Sequence, residues 1–156
     1  MKIENLLETL PQLEGSEKQI AWAEDIRKEF VEQATVYYNW ILAKGEARAE
    51  KVLAKGSEIK RPRFYFADMH LENIVKTLRK NSLKAKMSDV EAIEENQKQV
   101  NGYDDTLAEC STLEEVAETA LKELQKVVAS ADMAKIWIDS RESLSFFKAN
   151  SDNDMN

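Results

Sequence analysis

Ser16-Glu17-Lys18-Gln19-Ile20-Ala21-Trp22-Ala23-Glu24-Asp25-Ile26-Arg27 is the stretch whose reading decides the fold. Pro11 and Gly15 break whatever precedes it. Ser16 stands where an N-cap belongs, and Gln19 three residues later completes a capping box, in which two side chains satisfy the first orphan amides of a helix. Leu13 and Ile20 sit close to the spacing of a hydrophobic staple across that cap. Beyond it Ile20, Ala23, Ile26, Phe30, Ala34, Tyr37 and Ile41 advance in steps of three or four residues. That is a helical stripe and cannot be a strand. Val31, Tyr38 and Leu42 form a second stripe that widens the predicted buried face. Gly45 leaves open whether residues 17–55 form one helix or two, because a helix-interior glycine costs only about 1 kcal/mol.

The rest of the chain continues the helical pattern. A short helix is expected over residues 3–9. Lys60-Arg61-Pro62-Arg63-Phe64-Tyr65-Phe66 is the one segment that reads as extended, since Pro62 pushes Arg61 away from helical angles. Asp68 then looks like an N-cap for a helix carrying Leu71, Ile74, Val75 and Leu78. Ser88 with Glu91 is a second capping box, opening a charged and mostly exposed helix that Asn101-Gly102 should end. Thr112 with Glu115 opens the last long element, with Leu113, Val116, Ala117, Ala120, Leu124 and Val127 facing inward. Ser130 is a candidate cap for a further helix bearing Met133, Ile136 and Trp137. The expected architecture is all-α: one helical domain over residues 1–150, its long N-terminal helix packed against C-terminal helices, and a disordered polar tail over 151–156.

Composition supports this reading. Of 156 residues, 43% are hydrophobic and 33% charged, with only four Gly and two Pro. So few breakers disfavour a turn-rich β fold. No apolar run approaches the roughly 20 residues of a membrane helix, so no membrane partner is expected. Cys110 stands alone, so no internal disulfide can form and the expected compartment is cytoplasmic. We read Cys110 as a helix-start or core thiol rather than a nucleophile.

Charge is segregated. From Lys44 to Lys86 twelve Lys or Arg face five acids, a net +7; the whole chain is −7, so the remainder carries −14. Within this basic middle, Lys60, Arg61, Arg63 and Tyr65 interleave cations with aromatics, and Lys76, Arg79, Lys80, Lys84 and Lys86 follow. Rings for stacking and cations for phosphates suit single-stranded nucleic acid. These nine residues are the candidate partner- or nucleic-acid-binding site.

Catalytic apparatus is not legible. His70 is the only histidine, which excludes a triad or a two-histidine metal centre by count. Glu94, Glu95, Asp104 and Asp105 read as solvated faces rather than metal ligands. No phosphate-cradling glycine loop is present. No catalytic residue, metal site or cofactor is expected, and the chain is not expected to be an enzyme.

Two motifs carry a resemblance. Gly-Ser-x-Lys-Gln-x-x-Trp-Ala-x-x-Ile-Arg at Gly15–Arg27 and Ala-Lys-Ile-Trp-Ile-Asp-Ser-Arg at Ala134–Arg141 resemble signatures of a largely uncharacterised family of small proteins from bacteria, phages and mobile elements. They cover about 21 residues at opposite ends of the chain. The resemblance implies a genetic setting rather than a reaction. Trp22 and Trp137 lie within the two signatures; we read both indoles as core, with an aromatic platform as the alternative for each. Lys18, Arg27, Asp139 and Arg141 are candidates for ion pairs tying the chain ends together. Two functions fit. One is a non-catalytic inhibitor or adaptor docking onto a host or phage complex such as a nucleic-acid-guided nuclease, in the manner of an anti-CRISPR. The other is a nucleic-acid-binding accessory of replication or recombination using the basic 60–86 region.

Overall fold

The Ser16–Gln19 capping box forms as its spacing predicts. The Gln19 amide donates to Ser16 Oγ and the Ser16 amide to Gln19 Oε1, each at 3.2 Å. The helix it opens, α1 (Glu17–Leu53), is unbroken through Gly45. It buries Ala23, Phe30, Val31, Ala34, Tyr37, Tyr38 and Ile41. At ~1.5 Å per residue this helix is roughly 55 Å long. In the computed structural model, which describes residues 10–54 and 65–154, four helices follow: α2 (Tyr65–Lys84), α3 (Asp89–Ala108), α4 (Leu113–Ser130) and α5 (Ala134–Asp154). The fold is all-α, and α1 packs against α2, α4 and α5.

One apolar core joins α1, α2, α4 and α5. Val75 and Leu78 come from α2, Leu121, Leu124 and Val128 from α4, and Ile136 and Trp137 from α5. Each lies on the periodic face of its helix, which is why the pattern is legible in the sequence. Trp137 is fully buried, its ring tilted against Phe30 with centroids 5.5 Å apart, and its indole N–H donates to the Ala131 carbonyl at 2.8 Å. Burying the indole therefore leaves no polar atom unsatisfied. Among the described residues α3 is an outer layer that touches only α2 and α4. Tyr103 and Leu107 pack there with Val116 in a separate small cluster.

Both remaining capping boxes place their N-cap bonds as expected. Ser88 Oγ accepts from the Glu91 amide, and Thr112 Oγ1 from the Glu115 amide. The return bond of the Thr112–Glu115 box comes from the Ser111 amide to Glu115 Oε2, one residue outside the expected partner.

Several expectations are corrected. α3 does not end at Asn101-Gly102; it continues to Ala108 because two further turns bury Tyr103 and Leu107. Leu42 is largely exposed, since the residue after fully buried Ile41 has already rotated off the core stripe. Ser130 caps nothing: its hydroxyl donates back to the Lys126 carbonyl within α4. Tyr65 and Phe66 are helical rather than extended, so α2 is under way before Asp68; residues 60–64 of that segment lie outside the described residues. Residues 151–154, expected to be disordered, form the last turn of α5, which meets no Gly or Pro there. The helix expected over 3–9 also lies outside the described residues.

Candidate functional site

The two sequence motifs meet in space. Met133, the residue before the C-terminal motif, forms an isolated parallel bridge with Glu14, the residue before the N-terminal one. The Glu14 amide donates to the Asp132 carbonyl at 3.0 Å, and the Ala134 amide to the Glu14 carbonyl at 2.9 Å. Arg27 reaches back from α1 to the Pro11 carbonyl at 2.6 Å. Burial lowers the Arg27 guanidinium from its ordinary pKa, against the opposing influence of Glu24. The ends are thus clasped mainly by backbone bonds. The expected ion pairs do not make the clasp: Asp139 lies 3.9 Å from Lys135 on its own helix.

Trp22 is not core. It is 49% exposed, and the Arg141 guanidinium lies over its ring at 5.1 Å from the centroid. Arg141 is held in place by a second bond, donated to the Ile138 carbonyl at 2.7 Å. Trp22 belongs to neither apolar stripe of α1, whereas Trp137 follows buried Ile136 on α5. The difference is angular: Ala23, next to Trp22, takes the buried position and turns the indole outward. A small groove of about 70 Å³ runs beside this pair between α1 and α5, lined by Ile26, Glu29, Phe30, Gln33, Leu144 and Arg141 itself.

The predicted basic site is divided by the fold. Lys60, Arg61 and Arg63 lie outside the described residues, and Tyr65 stands in the first turn of α2. Lys76, Lys80 and Lys84 are exposed at i, i+4 and i+8, so they form one basic stripe along α2. Arg79 does not belong with them. It is 5% exposed and its guanidinium pairs with the Glu123 carboxylate of α4. Lys86 is also engaged, donating to the Ser130 carbonyl at 2.9 Å with Asp132 3.5 Å away. Arg79 thus ties α2 to α4, and Lys86, in the turn after α2, ties to the α4–α5 junction.

The Cys110 thiol is half-buried at the end of α3 and donates to the Thr106 carbonyl at 3.5 Å. Among the described residues no group of three or more His, Cys, Asp or Glu is placed to hold a metal ion. No described helix is long and apolar enough to cross a membrane. Comparison of the chain with protein-family models, curated proteins and solved structures gives no match.

Proposed function

We propose that this chain is a non-catalytic accessory protein of a phage or mobile element that works by docking onto a larger protein machine. Its concrete form would be inhibition of a host nucleic-acid-guided nuclease. The observation that carries the reading is the Trp22–Arg141 pair. Two signature residues from opposite ends of the chain are brought together on the surface, beside a groove with apolar walls. Trp and Arg are the side chains most enriched among residues that dominate binding energy, because a large rigid surface and a planar charge are desolvated together. Within the same signatures, Trp137 and Ala134 are buried in the core and Gly15 closes against Ala134. The acidic remainder of the chain supports a basic partner surface, since complementary charge speeds and orients encounter.

The test is a tagged pull-down from bacterial lysate, with and without nuclease, using the native chain and Trp22→Ala/Arg141→Ala. Expected is one protein partner that survives nuclease and is absent with the double variant. Partners that vanish with nuclease would instead favour the second reading, a nucleic-acid accessory protein. The observation supporting that alternative is the exposed Lys76, Lys80 and Lys84 stripe on α2.

A further inference from the structure

The lysines of α3 and α4 all face one space. α3 has a single basic residue, Lys98, among six acids, and α4 has two, Lys122 and Lys126, among four. All three line the cleft between these helices, a volume of about 650 Å³ floored by Tyr103. Two acids, Glu95 and Glu123, line the same cleft, so its lining carries three cations against two carboxylates, and the acids nearby already have partners. Glu118, one turn before Lys122, accepts from the Tyr38 hydroxyl at 3.3 Å. Glu95 accepts from the Gln99 amide at 3.0 Å, and Glu123 is neutralised by buried Arg79. Among the described residues none of the three ammonium groups has a hydrogen-bond or ion-pair partner.

Lys122 and Lys126 are one turn apart on the same helix, where like charges repel. An anion entering the cleft would relieve that repulsion. The volume lies within the range of small-ligand pockets. Three ammonium groups from two helices, each a point charge with three donors, suit an anion whose charges are spread along a chain. We propose that the α3–α4 cleft binds a small ligand carrying two or more phosphate groups. A nucleoside diphosphate and an inorganic polyphosphate share that chemistry.

The experiment is calorimetric titration of the full chain, at low salt, with inorganic tripolyphosphate and separately with ADP. Saturable binding of tripolyphosphate is expected. Removing two of the three ammonium groups in Lys122→Gln/Lys126→Gln should weaken it at least about tenfold, with circular dichroism confirming that the variant stays folded. The control Lys28→Gln/Lys135→Gln, at exposed positions on α1 and α5, should bind as the native chain does. Equal affinity for ADP would show that the phosphates alone are read, and tighter ADP binding that the nucleoside also engages the cleft. Failure of the native chain to bind either anion would overturn the proposal. So would abolished binding in the control variant but not in the cleft variant.

Discussion

Gly15 is held against Ala134 so closely that a Cβ at position 15 would lie 3.1 Å from the Ala134 Cβ, and its φ of +149° is one that side-chain-bearing residues rarely adopt. Both constraints come from the Glu14–Met133 bridge, which brings the starts of α1 and α5 together. Gly15→Ala should therefore destabilise the fold by about 1–3 kcal/mol, the usual strain of a glycine-only conformation. Urea unfolding followed by circular dichroism measures it. A midpoint equal to the native chain's would mean that the backbone around position 15 accommodates a Cβ without strain.

The two tryptophans should respond oppositely. Trp137→Ala empties a fully buried site and strands the Ala131 carbonyl, so a loss of about 3–5 kcal/mol is expected. Trp22→Ala removes an exposed ring and a cation–π interaction of about 0.5–1 kcal/mol. Its larger effect should be on partner capture, where a dominant side chain is worth at least about 2 kcal/mol. Thermal melts of both variants, paired with the pull-down, separate the roles.

One indole is placed correctly by the sequence and the other is not. Periodicity assigns residues to a stripe about a third of the helix circumference wide, and Trp22 lies outside it; its aromatic character, not its position, is what suggests core. Caps are legible at Ser16, Ser88 and Thr112 because their partners lie three residues away. Gly102 misleads because a breaker's local cost is set against nothing, whereas Tyr103 and Leu107 beyond it gain burial on α4. Arg79 reads as one more surface cation because its partner, Glu123, is 44 residues away.

That buried pair should behave as a unit. Glu123→Ala leaves a guanidinium that is 5% exposed without its counter-charge, a situation that costs about 3–5 kcal/mol. Arg79→Met together with Glu123→Met removes both charges while keeping comparable apolar volume. The double variant should recover most or all of the native stability. A double-mutant cycle in urea tests this; additive losses would show that the two side chains are energetically independent.

The α2 stripe offers the sharpest separation between docking and nucleic-acid binding. Lys76, Lys80 and Lys84 are exposed, so Lys76→Gln/Lys80→Gln/Lys84→Gln should alter stability by no more than about 0.5 kcal/mol per site. Under the docking reading, capture of the protein partner through Trp22 and Arg141 is unaffected by the triple change. Under the nucleic-acid reading, oligonucleotide affinity drops. The slope of log affinity against log salt also becomes shallower, by about 0.7 for each single-strand phosphate that is no longer neutralised. Fluorescence anisotropy with a labelled single strand over a range of salt concentrations reads that slope directly. A native chain with no measurable slope, alongside undiminished partner capture by the triple variant, assigns the stripe to solvation alone.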